Sequence, residues 1–123
     1  MQVKLMMPQE IEVMYIIPAV RSYLAVYMKQ AGKPQKEIAH LLNIQESTVS
    51  QYISKKRGCQ IKLSKDIQDD IKKSAAKVKS FDDSRRYIQI ILKKIRTTKE
   101  ICLIHGQLEN VKCECPLKKG CVY

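Results

Sequence analysis

The chain has 123 residues, 45% of them hydrophobic and 28% charged, and 23 Lys and Arg against 12 Asp and Glu give a net charge of +11. That balance excludes a disordered chain and leaves room for one small domain with an appendage, while the positive excess points to nucleic acid or another anionic surface as partner. Tryptophan is absent and there is one Phe, so the core must be built mostly of Ile, Leu and Val. The opening MQVKLMMPQE holds no apolar run of signal-peptide length. No stretch is read as approaching the ~20 apolar residues of a membrane span. The expectation is therefore a cytoplasmic chain without membrane contact, in which structural disulfides are rare and the five cysteines need another role.

Glu10 to Ile17 carries Ile11, Met14, Tyr15 and Ile17 at mixed spacing, enough for a helical turn or two. Pro18 ends that piece and suits the first turn of a new helix. The new helix runs to about Ala31 with Val20, Leu24, Tyr27 and Met28 inward, and Gly32 sits where a terminator is preferred. Ile38, Ala39 and Leu42 then share one face of a helix starting near Gln35. Asn43, which tolerates a left-handed backbone, breaks it. Ile44 plugs the turn, and a second helix turns Val49, Tyr52 and Ile53 inward. Its other positions, Gln45, Glu46, Ser47, Thr48, Ser50 and Gln51, are short and rich in hydrogen-bonding groups, and Lys55, Lys56 and Arg57 close the segment with positive charge.

Two short helices joined by a tight turn, the second polar outward and basic at its end, is the helix-turn-helix layout that reads double-stranded DNA. An ordinary helical hairpin would share the apolar spacing but has no need of the Ala, the αL-tolerant turn and the Gln/Ser/Thr face together. Residues 35 to 57 resemble the helix-turn-helix of the lambda-repressor/Cro-like (XRE) regulators. With the preceding Ile17-Pro18-Ala19-Val20-Arg21, and with Val49-Ser50-Gln51-Tyr52-Ile53-Ser54-Lys55-Lys56-Arg57-Gly58, the chain is similar to archaeal XRE-type regulators over about its first half. Asn43 stands where that family has Gly, and Gln45 where Thr or Ser caps the recognition helix. The resemblance implies a sequence-specific DNA-binding transcriptional regulator. Its DNA-binding residues would be Gln35, Gln45, Glu46, Ser47, Thr48, Ser50, Gln51, Lys55, Lys56 and Arg57. One such motif reads too few base pairs for useful specificity, so a homodimer is expected.

After a break at Gly58, Cys59 and Gln60, Ser64 reads as an N-cap for a helix to about Val78, with Ile67, Ile71, Ala75 and Val78 on one narrow stripe. Asp82 is a candidate cap for a further helix, Ser84 to Thr98, bearing Tyr87, Ile88, Ile91, Leu92 and Ile95. That near-heptad stripe serves equally as a dimerisation seam or as a last core helix. Eleven basic and five acidic residues lie between Ile61 and Thr98, so more than half the net charge lies beyond the recognition helix. Lys72, Lys73, Lys77, Lys79, Arg85, Arg86, Lys93, Lys94 and Arg96 read as a solvated face from which some side chains reach flanking phosphates.

The tail has another character. Cys102, Cys113, Cys115 and Cys121, with His105 as a fifth donor, cluster in a segment too short to build an apolar core. Soft thiolates there select zinc, Cu(I) or an iron-sulfur cluster, and a metal would organise the segment. Cys113-x-Cys115-x5-Cys121 resembles the cluster-binding segment of redox-sensing regulators of the bacterial superoxide response, except that Asn110 holds the place of the fourth Cys. Similar spacing also occurs in zinc sites that follow histone-methyltransferase domains, and Cys102-x2-His105 has the spacing of a zinc knuckle. The resemblance favours an iron-sulfur cluster on the four cysteines acting as redox sensor, with zinc as the alternative. Cys59 reads as a buried small residue and His40 as a surface or phosphate-facing residue.

The expected architecture is thus all-α: a helix-turn-helix domain over 1–60, a helical extension with a dimerisation role over 61–98, and a short irregular Cys-rich metal-binding tail over 99–123. An enzyme is not expected, since no His/Asp/Glu constellation accompanies the cysteines. RNA binding is disfavoured because the aromatic residues occupy core-like helical positions rather than a stacking platform.

Overall fold

A computed structural model describes residues 7–55, 61–98, 100, 103 and 104. Among the described residues all regular structure is helical: α1 (Pro8–Ile11), a π-helical turn (Glu12–Ile16), α2 (Ile17–Gln30), α3 (Gln35–Leu42), α4 (Glu46–Ile53), α5 (Lys65–Lys77) and α6 (Phe81–Thr97). The fold is all-α.

The first three pieces form one rod rather than the two helices separated at Pro18 that the sequence suggests. Ile17 N–H donates to the Glu12 carbonyl, five residues back, so the backbone register slips just before the proline. In a regular helix the proline ring would strike the carbonyl four residues earlier, and the wider turn relieves that clash. Pro18 then occupies the first turn of α2, as expected. The rod also corrects the expectation that no stretch has the length and apolarity of a membrane span. Gln9–Gln30, 22 residues with a window of mean hydropathy 1.3, is long and apolar enough to cross one by length and composition. Glu10, Glu12 and Arg21 break the apolar run in the sequence and so mask this length. In the fold Ile16, Ala19, Val20, Leu24, Ala25 and Met28 of this rod are covered completely. α2 is the central element, packed by α3, α4, α5 and α6.

Two helices end by the same device. Gly32, with φ +94°, follows α2; its N–H donates to the Lys29 carbonyl at 3.0 Å and that of Lys33 to the Met28 carbonyl at 3.1 Å. Asn43, with φ 54° and ψ 49°, follows α3. Its N–H donates to the His40 carbonyl at 3.2 Å, and that of Ile44 to the Ala39 carbonyl at 3.0 Å. Both are Schellman closures, which satisfy carbonyls left over at a helix end and need a left-handed residue. The chain leaving α2 is also tied to the end of α5, because Lys33 Nζ donates to the Val78 carbonyl at 3.1 Å.

Ser64 caps α5 by accepting from the Ile67 N–H at 3.4 Å, as its position suggests. The start of α6 differs from expectation. Ser80, not Asp82, is the N-cap: its Oγ accepts from the Asp83 N–H at 3.2 Å while Asp83 Oδ2 accepts from the Lys79 N–H at 3.1 Å. These two bonds satisfy two donors at once and start the helix at Phe81, three residues before the expected start at Ser84. The stripe itself faces inward, with Ile88, Ile91, Leu92 and Ile95 buried in the core of this chain and Tyr87 half-buried. α6 packs on α5 and α3. Its last turn is held to the π-helical segment by a two-point ion pair, Arg96 Nε and Nη2 to the two carboxylate oxygens of Glu12, both at 3.1 Å. Arg96 is therefore half-buried and paired rather than part of a solvated face, whereas Lys72, Lys73, Lys77, Lys79, Arg85, Arg86 and Lys93 are exposed. Lys94, also exposed, is bound by Asp70 of α5. That hydrogen bond holds its ammonium pKa above the ordinary 10.5.

Candidate nucleic-acid interface

α3 begins after Pro34, whose extended backbone (φ −70°, ψ 153°) precedes Gln35. Ile38, Ala39 and Leu42 are buried and His40 is exposed, in keeping with the expected face, and Leu41 is buried as well. Asn43 reverses the chain, Ile44 is half-buried against the core, and Gln45, again extended (φ −77°, ψ 152°), starts α4. Among the described residues no side chain caps α4: Gln45 is long and flexible, and its Oε1 accepts instead from the Ser47 hydroxyl at 3.4 Å. Glu46 in the first turn complements the helix dipole.

The inward side of α4 is Val49 and Tyr52, both buried, with Ile53 half-buried. Tyr52 also anchors the backbone, its carbonyl accepting from the buried Ser22 hydroxyl of α2 at 3.4 Å. These contacts fix which side of α4 turns outward. Gln45, Glu46, Ser47, Ser50 and Gln51 are exposed, and Thr48 and Gln35 are half-buried. Among the described residues the Gln51 amide makes no hydrogen bond; the carbonyl of the same residue accepts from Ser54 Oγ at 3.3 Å. The first eight residues of the predicted set thus divide cleanly. Five of those on α4 and its N-cap lie on one open polar surface, Thr48 at its margin, Gln35 at the start of α3, and Lys55 just past α4.

Lys55 is exposed and has a left-handed backbone, φ 61°. A cleft of about 420 Å³ beside it is lined by Tyr23, Tyr27 and Lys62, with the two tyrosine rings stacked at 6.2 Å. Burial first, then Tyr23 and Asp69, raise the Tyr27 phenol above its ordinary 10.0. Lys56, Arg57 and Cys59 lie outside the described residues, as do Cys102, His105, Cys113, Cys115 and Cys121. Among the described residues no group of three or more His, Cys, Asp or Glu is placed to hold a metal ion.

One feature escaped the sequence reading. A second cleft, about 550 Å³, opens between α2 and α6 and reaches Leu42 at the end of α3; Arg21, Arg85 and Arg86 line it. The adjacent Arg85-Arg86 pair was the available signal, but joining it to Arg21 requires knowing that α6 returns beside α2. No known protein family, characterised protein or solved structure matches the chain.

Proposed function

We propose that this chain is a sequence-specific regulator of transcription that binds double-stranded DNA as a homodimer in the cytoplasm, of the lambda-repressor/Cro-like type, and is not an enzyme. The observation that carries the reading is the pair α3 and α4, joined through the left-handed Asn43, with Val49 and Tyr52 inward and an uninterrupted polar face outward. In this reading α4 enters the major groove. The Gln45 and Gln51 amides suit bidentate pairing with adenine, and Ser47 and Ser50 hydroxyls suit any base edge. Lys55, Lys56 and Arg57 meet phosphates, fixing the register without reading sequence. Glu46, an anion on the same face, suits the amino group of cytosine and opposes the backbone elsewhere, so it adds discrimination rather than affinity.

In the tail, Cys102, Cys113, Cys115 and Cys121 offer four thiolates, the donor set of an iron-sulfur cluster, and Lys112, Lys118 and Lys119 nearby in sequence favour its anionic charge. Bound there, a cluster would supply one-electron redox chemistry, making the tail a sensor. Zinc on the four cysteines, or on three of them with His105, is the alternative, and would make the tail a structural staple.

Selection from random duplexes tests DNA recognition; a recovered consensus is expected, with affinity that falls steeply as salt rises. Recovery of no consensus would refute sequence-specific binding. Purification without oxygen, followed by absorption spectra and metal analysis, tests the tail. Iron with sulfide, lost in Cys115→Ser, is expected, whereas stoichiometric zinc without iron would replace the sensor by the staple.

A further inference from the structure

We infer that the cleft between α2 and α6 is a binding site for a small organic anion with a phosphate or carboxylate head and an apolar body. Three guanidinium groups line it, from Arg21 on α2 and from Arg85 and Arg86 on α6, against one carboxylate, Asp82. Arg21 is half-buried, and its Nε is shielded from solvent without a hydrogen-bond partner among the described residues. A shielded donor without a partner is uncommon in a folded chain, because the lost water contact is not replaced. Tethering by a carboxylate of the protein does not explain the cluster either. Among the described residues Asp82 reaches only Arg85, at 3.9 Å and with both side chains well exposed, which is a weak pairing.

The arginines are also partly preset. The Arg85 guanidinium lies over the Phe81 ring, 5.7 Å from its centroid, which restricts the side chain without consuming its donors. Guanidinium forks match the planar or tetrahedral oxygens of carboxylate and phosphate better than a lysine would. The remaining wall is mostly apolar, with Ile17, Leu42, Phe81, Ile88 and Leu92 beside the polar Ser84 and Gln89. A volume of about 550 Å³ falls in the range of small-molecule sites, which combine apolar walls with a few fixed polar groups. Inorganic phosphate alone would leave those walls uncovered, so the fit is to an anion carrying an apolar group.

The place of the cleft gives binding a consequence. Leu42 is the last residue of α3, next to the Asn43 turn, and Ser84 at the cleft donates to the Leu41 carbonyl at 2.7 Å. A ligand there touches the element that sets α4 against α3. This coupling rests on the DNA-binding reading above, but occupancy of the cleft does not, so the test is made on the full chain without its operator.

Phenyl phosphate is the probe, titrated by calorimetry and by methyl NMR, with inorganic phosphate and benzyl alcohol as its two halves. The expected result is saturable binding, with shifts concentrated at Ile17, Leu42 and Leu92, about tenfold tighter than either half. Arg21→Gln and Arg86→Gln should each weaken it about tenfold, the loss expected for a charge-assisted hydrogen bond. Arg86 is exposed, so its variant keeps the test valid if Arg21→Gln fails to fold. Non-saturating shifts, or full affinity in Arg86→Gln with either a folded Arg21→Gln at full affinity or no gain over benzyl alcohol, would overturn the inference. So would a random-sequence duplex that shifts the same three methyls, since the arginines would then serve a DNA backbone.

Discussion

Ser84→Ala tests how the last helix is fastened to the candidate DNA-reading unit. Ser84 is 1% exposed, and its Oγ lies 2.7 Å from the Leu41 carbonyl and 2.8 Å from that of Phe81. A hydroxyl has a single proton, so it favours one carbonyl at a time; the Phe81 contact lies within the first turn of α6, whereas the Leu41 contact joins two helices. The substitution removes one oxygen and leaves a buried acceptor in α3 without this donor. The penalty for that is about 1–3 kcal/mol, with little volume change to add to it. For a chain of 123 residues, this lowers Tm by roughly 5–15 °C. Thermal melts and urea titrations followed by far-ultraviolet circular dichroism measure it, with Ser50→Ala on the exposed face of α4 as the control expected within about 0.5 kcal/mol of the parent. If Ser84→Ala matches that control, the hydroxyl is not the fastening and the reasoning fails.

Asn43→Gly should raise stability by a few tenths to about 1 kcal/mol, and Asn43→Val should lower it by about 1–2, since both act through the left-handed φ of 54°; equal effects in the same direction would mean that the turn is not left-handed. Tyr27→Phe bears on alkaline unfolding. The Tyr27 phenol has a folded pKa above 10.0, so the folded chain keeps a proton that the unfolded chain releases; its contribution is intact below that value and is lost as pH rises through the folded pKa. Lys94, raised by Asp70, acts in the same direction above 10.5, so the variant should make the loss of stability less steep without abolishing it, and an unchanged slope would exclude Tyr27.

The local signals that proved legible were those with one cause. Gly32 and Asn43 mark helix ends because few residues accept their backbone angles, and the buried positions Ile38, Ala39, Leu42, Val49 and Tyr52 follow from helical spacing, although the burial of Leu41 does not. Ser64 was readable as a cap because one hydroxyl three residues from a free N–H suffices. Where several candidates stood together, sequence could not choose: Ser80, Asp82 and Asp83 are all capping types, and the choice of Ser80 goes with the bond that the Asp83 carboxylate accepts from the Lys79 N–H. The π turn was invisible because it answers a clash of the Pro18 ring that a list of residues does not show. Arg96 looked like its exposed neighbours until Glu12, 84 positions away, was brought beside it. Arg21 and the two arginines of α6 form one cleft for the same reason, a long-range return of the chain. The exposure of Gln45, Glu46, Ser47, Ser50 and Gln51 was legible, since the orientation of α4 follows from Val49 and Tyr52 being three apart and inward, whereas the half-burial of Thr48 was not.

The most direct test of the DNA-reading account is Gln51→Ala, measured on the duplex recovered by selection and on a duplex of random sequence at the same salt. Gln51 is exposed on α4 and its amide is uncommitted among the described residues, so its removal should leave stability unchanged. The account predicts a loss of about 1–3 kcal/mol on the selected duplex and almost none on the random one. Equal losses on both would make Gln51 a phosphate contact, and no loss on either would take α4 out of the groove.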